Sequence, residues 1–441
     1  MLWLYRVLFL PALIFAAPYY LLRMRRRGGY RRHFKQRLGA VQSLPTKNPQ
    51  VRRIWLQAVS VGEMLAIGPL LEAFKGDPEV EFYLTTTTST GFKLARERYQ
   101  EHTTGIGYFP IDWWWFSARA WRVIQPDLVI LTEGERWPEH VHQAVRRGVP
   151  VVSVNSRLSD RSYRRMKRWK WAMKSMLGGI TRILACSEHD AERFRELGFE
   201  RSKVQVTGNI KLDLTLPLIS ETERKTLRAQ LGLGEEPILL GSSTWPGEEA
   251  VMVQTLRRLR EEGINCRLLL VPRHAERRKE IEGLLRDSGM SFHLRTRGNA
   301  PGLVDVAVAD TTGELRRLTQ LAELVFVGKS LPPHDEGQTP VEAAALGKPL
   351  IFGPGMSNFR VIAQDLLHGG AAQQIGSARE LADAALLLFK EPAKRAAMAK
   401  AAQTWHRANA GAVARTVDRL RKELARLPAT KTEMLPPGAR R

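Results

Sequence analysis

Past residue 50 the chain alternates short apolar runs with amphipathic segments, and it does so in two successive blocks. Apolar runs predict strands at 53–59, 81–84, 127–131, 151–154, 183–185 and 204–206, with helical patterns between them, for example at 63–74 and 140–147. A polar stretch over 214–235 interrupts the pattern, which then restarts. Strands are expected at 238–240, 267–271, 304–307, 324–327 and 349–351, and helices at 248–262, 275–288 and 341–346. Strand–helix alternation implies parallel sheets covered by helices. Two such blocks joined by a linker imply an α/β chain of two doubly wound, Rossmann-like domains with a cleft between them. The expected organisation is an N-terminal anchor with its basic flank (1–37), a first domain (38–213), a linker (214–235), a second domain (236–427) and a basic tail (428–441). The tail is rich in Pro, Lys and Arg and is expected to be disordered. No internal repeat is evident.

Composition narrows the function. With 44% hydrophobic and 26% charged residues, the 441-residue chain can build real cores. Cys186 and Cys266 make neither a CxxC nor a metal spacing, which fits a reducing compartment better than a disulfide framework. The formal net charge of +23 calls for an anionic partner, whether nucleic acid, anionic lipid or a phosphorylated substrate. Placement separates these. Residues 1–22 are apolar except for Arg6, and Arg23, Arg25, Arg26, Arg27, Arg31, Arg32, Lys35 and Arg37 follow. Tyr19 and Tyr20 sit where an interfacial aromatic belt would lie, and the arginines would keep the rest of the chain in the cytoplasm. No small-residue cleavage site follows, so a cleaved signal peptide is not expected. The segment is long enough to span a bilayer only marginally, and an amphipathic helix in the interface or a helix packed on the protein are the other readings.

In open α/β sheets, ligands bind beyond the carboxyl ends of the strands, and the unusual polar motifs fall there. Ser60-Val61-Gly62-Glu63 follows the first strand, and Glu63 could be a general base or only a helix N-terminal acid. Thr132-Glu133-Gly134-Glu135-Arg136-Trp137-Pro138 is an ion-paired loop or a catalytic one. Lys211, in Gly208-Asn209-Ile210-Lys211-Leu212-Asp213, could neutralise developing negative charge or be solvated surface. In the second block, Pro272-Arg273-His274 offers an arginine for a phosphate or carboxylate. Gly313, in Asp310-Thr311-Thr312-Gly313-Glu314, would open a helix toward an anion. In Thr339-Pro340-Val341-Glu342, Thr339 is an expected N-cap with Pro340 at the first helical position. Glu342 would then reach ribose hydroxyls or balance the helix dipole. There is no GxxxxGK[ST] loop, no GxGxxG after a strand, no HExxH and no GxSxG, which disfavours nucleotide triphosphatases, dehydrogenases, zinc proteases and serine hydrolases.

The ordered series SVGE, TTTTSTG (85–91), FPID (109–112), TEGERWP, NSRLSDRS (155–162), VTGNIKLD, GSSTWPGEE (241–249), VPRH, DTTGEL and EGQTPVEAA resembles the Kdo transferase family, over residues 1 to about 410. The resemblance implies a GT-B fold and inverting, metal-independent transfer of Kdo from CMP-Kdo to a lipid A precursor (lipid IVA), with no cofactor. It places the enzyme at the bacterial inner membrane, its catalytic domains on the cytoplasmic side. It makes the first domain acceptor-binding and the second CMP-Kdo-binding. Glu63 matches the family's general base, and Glu133 and Lys211 match positions assigned to transition-state stabilisation. Pro272 and Arg273, then Thr312, Gly313 and Glu314, then Thr339, Pro340, Val341 and Glu342 match three CMP-binding segments. The chain departs from the family at Glu336-Gly337-Gln338-Thr339, where Gly-Gly-His-Asn is usual, and at Trp245 and Gln57, where histidines are expected.

Two segments suit a membrane surface or lipid A phosphates: Trp113-Trp114-Trp115-Phe116 and the Arg/Lys/Trp mixture at 161–174. A solvated basic helix face with a few core tryptophans is the other reading. The partners that the resemblance implies are CMP-Kdo and a lipid A precursor, and the basic and aromatic segments add anionic membrane lipids. A different GT-B nucleotide-sugar enzyme acting on a membrane glycolipid, or a sugar-nucleotide epimerase, is the alternative enzyme. Nucleic acid is not an expected partner, because the basic residues cluster beside an apolar anchor without a base-reading motif.

Overall fold

A computed structural model describes residues 1–27, 33–42, 44–214 and 216–428. Of the tail expected to be disordered (428–441), residues 429–441 lie outside the described residues, as do the arginines at 31 and 32. The chain divides into two compact units, Met1–Asp213 with Gly411–Arg441, and Leu214–Ala410.

The first unit carries strands β1 (Arg52–Gln57), β2 (Val80–Thr86), β3 (Gly105–Tyr108), β4 (Leu128–Thr132), β5 (Val151–Ser156), β6 (Arg182–Ala185) and β7 (Val204–Val206). They form one parallel sheet in the order β3-β2-β1-β4-β5-β6-β7. The strands read as continuous apolar runs because helices cover both faces. Alternate side chains of β1 go to opposite layers: Trp55 packs with Trp121, Phe109 and Val129 on one face, and Ile54 and Leu56 with Met64, Leu70 and Leu128 on the other.

The second unit repeats the plan with β8 (Ile238–Thr244), β9 (Arg267–Pro272), β10 (Phe292–Leu294), β11 (Val306–Val308), β12 (Leu324–Val327), β13 (Leu350–Phe352) and β14 (Ala372–Gln374). Its sheet is parallel in the order β10-β11-β9-β8-β12-β13-β14.

The expected boundaries change in three places. Residues 214–235 are not only a linker. They contain a helix, Glu221–Leu231, whose Leu227 and Leu231 are buried in the second unit's core. The second domain ends at Ala410 and not at 427, because the last helix, Ala412–Ala425, buries Ala412 and Leu420 in the first unit. Asp213 fixes this return, its carboxylate accepting the N–H groups of Gly411 and Val413 at 2.9 and 2.7 Å, as an acid at a helix N-terminus can. The expected helix at 63–74 is two, Val61–Ala66 and Gly68–Ala73. Pro69 has no N–H to continue the first of them.

The N-terminal helix, Leu2–Arg27, contains Pro11 and Pro18. No single helix among the described residues is long and apolar enough to cross a membrane; its halves Leu2–Phe9 and Pro11–Leu22, bent by 46°, reach that length together. The helix is docked. Tyr5 donates its hydroxyl to Asp112 at 2.7 Å, and Arg6 makes a two-pronged ion pair with the fully buried Glu139 at 2.8 and 3.0 Å. Trp3, Leu8, Ile14, Phe15 and Tyr19 remain exposed. Arg37, expected in the basic flank, is instead half-buried in the fold, its guanidinium 4.0 Å over the Tyr108 ring.

Candidate active site

In the first unit the strand order reverses between β1 and β4, so their carboxyl ends flank the switch point where doubly wound sheets bind ligands. Glu63 and Thr132 meet there. Ser60 caps the helix Val61–Ala66 by accepting the Glu63 N–H at 3.3 Å. The Glu63 carboxylate accepts the Val59 N–H at 2.9 Å, the Thr132 hydroxyl at 2.7 Å and the Ser60 hydroxyl at 3.2 Å. This reach-back resembles a capping box displaced by one residue. Glu63 is thus both the helix-opening acid and a carboxylate fixed at the switch point. The threonine run braces the same turn: the hydroxyls of Thr86, Thr87 and Thr88 donate to the Val59 carbonyl at 3.0, 3.4 and 3.2 Å.

Glu133 follows directly. Its φ is +50°, a conformation that non-glycine residues seldom adopt. One carboxylate oxygen pairs with Lys211 and the other with Arg157 at 2.9 Å. Asn155, also at positive φ, accepts the Ile210 N–H at 2.9 Å and so positions the loop that carries Lys211. The structure thus shows the loop ion-paired, with Glu133 held between two cations. Sequence reasoning missed one member of this cluster. Arg157 lay unremarked inside the NSRLSDRS motif. Glu135 is half-buried, and its carboxyl is pushed up to about 7, first by burial and then by the nearby Glu63 charge. Glu135 is the second of the two acids that the sequence sets beside Arg136 at this strand end.

In the second unit the switch point lies between β8 and β12. Glu248, almost fully buried, accepts N–H groups from Trp245, Lys329, Ser330 and Leu331 at 2.9, 2.7, 2.9 and 3.1 Å, which binds the two loops together. Ser243 and Lys329 at these strand ends have positive φ, like Glu133 and Asn155 in the first unit. Such strain collects where surrounding structure over-determines a functional geometry. Pro272 ends β9, and Arg273 donates its N–H to the Thr244 carbonyl at 3.1 Å. Its side chain is exposed and makes no hydrogen bond or ion pair with the described residues.

The other two expected segments emerge after β11 and β12. Thr312 and Gly313 are exposed. The helix after them is a single turn, Leu315–Leu318, and Glu314, not Gly313, precedes it. Burial would raise the Glu314 carboxyl, but Thr311 and Arg295 hold it below the usual range. Thr339 is not the N-cap. Pro340 occupies that position, and the Thr339 hydroxyl accepts the Val341 N–H at 3.3 Å. Glu342 pairs with Arg316 at 3.0 Å, which joins the second and third segments. Trp245 is set among His274 (5.0 Å between ring centroids), His334 (5.6 Å) and the Lys329 ammonium (4.1 Å from its ring). Lys329 also pairs with Glu336 at 3.0 Å. Gln57 is fully buried and accepts the Thr85 hydroxyl at 2.7 Å. Among the described residues no three His, Cys, Asp or Glu side chains are grouped as metal ligands.

Residues 32–214 match the family described as 3-Deoxy-D-manno-octulosonic-acid transferase (kdotransferase). The 3-deoxy-D-manno-octulosonic acid transferase of Bordetella pertussis is 34% identical over 414 residues, covering 90% of this chain and 94% of that one. That of Haemophilus influenzae is 33% identical over 404 residues, covering 90% and 92%. The crystal structure of Anabaena HepE in complex with UDP is similar over 85% of this chain and all of that one, with a TM-score of 0.54 at 15% identity, which shows the fold alone. With the two doubly wound units and their switch-point clusters in place, the extent of identity to these relatives shows that the chain belongs to the 3-deoxy-D-manno-octulosonic acid transferase family of glycosyltransferases.

Proposed function

We propose that the chain transfers Kdo from CMP-Kdo to a lipid A precursor, lipid IVA, with inversion and without a metal, on the cytoplasmic side of the bacterial inner membrane. The observation that carries this is Glu63, a carboxylate fixed by three donors at the switch point of the first sheet. It takes the proton of the acceptor hydroxyl as that oxygen attacks the anomeric carbon of Kdo. The bond from that carbon to the CMP phosphate oxygen breaks, and CMP leaves as an anion. Negative charge therefore grows on the leaving phosphate, and Lys211 and Arg273 are cations suited to it. Pro272, Thr312, Gly313, Glu314, Thr339, Pro340, Val341 and Glu342 form the nucleotide side, with Glu314 and Glu342 steadied by Arg295 and Arg316.

The testing experiment is an assay with CMP-Kdo and lipid IVA, in which mass spectrometry reads the product. Addition of Kdo, undiminished by EDTA, is expected; a strict metal requirement or no transfer would refute the reading. CMP should raise the thermal midpoint and UDP should not, and protection by UDP alone would favour a different nucleotide-sugar enzyme. Arg273→Ala should weaken CMP binding roughly 10- to 100-fold, the worth of a charge-assisted hydrogen bond to phosphate, as titration calorimetry would show.

Membrane association is supported by the exposed apolar side of the N-terminal helix and by exposed tryptophans. Trp169 and Trp171, at 54% and 61% exposure, are not core residues, and Trp114 and Trp115 are also exposed. The helix Asp160–Arg168 buries Met166 and leaves Arg161, Arg164, Arg165, Lys167 and Arg168 at the surface. Arg164→Glu combined with Lys167→Glu should cut binding to anionic vesicles by more than about tenfold in a flotation assay, since each basic residue near such a surface is worth about 1 kcal/mol. Equal binding to anionic and neutral vesicles by the wild type would refute the electrostatic part.

A further inference from the structure

A cavity of about 720 Å³ lies within the first unit, between the N-terminal helix and the carboxyl edge of the sheet. Its size is that of a ligand site. The helix side is built from Phe9, Leu13 and the small residues Ala12, Ala16 and Ala17; the opposite wall includes Val59, Phe109, Ile111 and Trp137. Small residues facing a wall of large ones leave a channel where a packed interface would otherwise form. The lining runs from Phe9 to Leu21. At 1.5 Å per residue that is about 18 Å of helix, close to the roughly 15 Å depth of one leaflet of a bilayer's hydrocarbon core. One extended acyl chain therefore fits its length.

The polar groups in the lining are as informative as the apolar ones. Thr88, Ser89, Glu135 and Arg37 line the same cavity. Val59 connects it to the base, because its N–H donates to Glu63 while its carbonyl receives the threonine hydroxyls. Arg37 supplies a cation for an anionic headgroup. The Tyr5–Asp112 and Arg6–Glu139 contacts pin the start of the helix against the unit, so the channel has a fixed roof at that end.

We propose that this cavity is an acyl-chain subsite, which takes one hydrocarbon chain of the membrane-borne acceptor and thereby draws the acceptor's sugar toward Glu63. The inference rests on the lipid acceptor proposed above. An acyl chain shielded here, with its headgroup at the polar lining, presents the attacking hydroxyl without leaving apolar surface in water. The N-terminal helix is then part of the substrate site as well as a membrane element.

Two measurements decide it. An acceptor carrying a diazirine at the end of one acyl chain, photolysed with the full-length protein, should leave adducts that residue-level mass spectrometry places on the lining residues Leu13, Ala16, Ala17 and Ile111. Adducts confined to the outward residues Trp3, Leu8 and Phe15 would overturn the proposal, since they report only lipid around the helix. Ala16→Trp, which fills the channel, should lower kcat/KM for the acylated acceptor at least about tenfold, the scale of blocking one apolar subsite. The ratio of kcat/KM for acylated over deacylated acceptor should fall toward one. An unchanged ratio, in a variant still protected by CMP against thermal unfolding, would overturn it. Failure of the transferase reading looks different: the wild type would then transfer Kdo to neither acceptor, and the photolabelling would still test the cavity.

Discussion

Glu63→Gln is expected to lower kcat by roughly 10²–10⁴, the range of a lost general base, while leaving CMP protection intact. The substitution is close to isosteric. The amide oxygen can still accept the Val59 N–H, the amide nitrogen can donate to Ser60, and the Thr132 hydroxyl has the Gln57 carbonyl as a second acceptor at 3.0 Å. Fold and capping should survive, and only the proton acceptor is lost. Retention of kcat within about threefold would remove Glu63 as the base and leave it a capping acid. Glu135 adds a pH signature. With its carboxyl raised to about 7, it is neutral at pH 6 and charged at pH 8, next to Glu63. The pH profile of kcat/KM should therefore show a step near pH 7 that Glu135→Gln abolishes. The stabilisation that Glu135 provides while protonated is complete below the ordinary carboxylate range and is lost as pH rises through about 7. The thermal midpoint of the wild type should accordingly fall from pH 6 to pH 8 more than that of Glu135→Gln.

The parts of the molecule legible in the sequence are those where one residue type has one physical use. The central strands of both sheets are buried on both faces, so they stand out as apolar runs. The edge strands Gly105–Tyr108, Phe292–Leu294 and Ala372–Gln374 passed unnoticed, being short and partly exposed. The return of the last helix was invisible because amphipathic periodicity says which face is buried but not on which unit. The contacts that fix it form only in the folded chain: Asp213 holds Gly411 and Val413 across some 200 residues of sequence, and Arg182 pairs with Glu423. The same limit applied at the site. Glu63 and Lys211 could be named from the motif series, but the bond from Thr132 to Glu63 and the bracket of Arg157 and Lys211 around Glu133 depend on neighbouring strands brought together by the fold. The helix N-cap at Thr339 was misjudged by one residue, since proline is compatible with both the N-cap and the first-turn position.

Lys211→Met is expected to cost roughly 10²–10³ in kcat, comparable with removing one donor to a developing anion. Lys211 is partly exposed, so the loss of its pair with Glu133 should cost little stability. Its effect should appear in kcat more than in KM, because the charge it would meet is larger in the transition state than in bound donor. Glu133 supplies the discriminating partner. Its carboxylate bridges Lys211 and Arg157 at a strained backbone position, which fixes both cations. Glu133→Gln keeps the side-chain shape but weakens that bracket, so it should also lower kcat. The double variant Lys211→Met with Glu133→Gln should then be little slower than Lys211→Met alone, because the carboxylate acts through the lysine it holds. A purely structural ion pair gives the opposite pattern: both single variants keep kcat within about threefold, and only the thermal midpoint moves. Fully multiplicative losses in the double variant would instead mean that the two groups act on different charges, with Glu133 working through Arg157 or on the sugar itself.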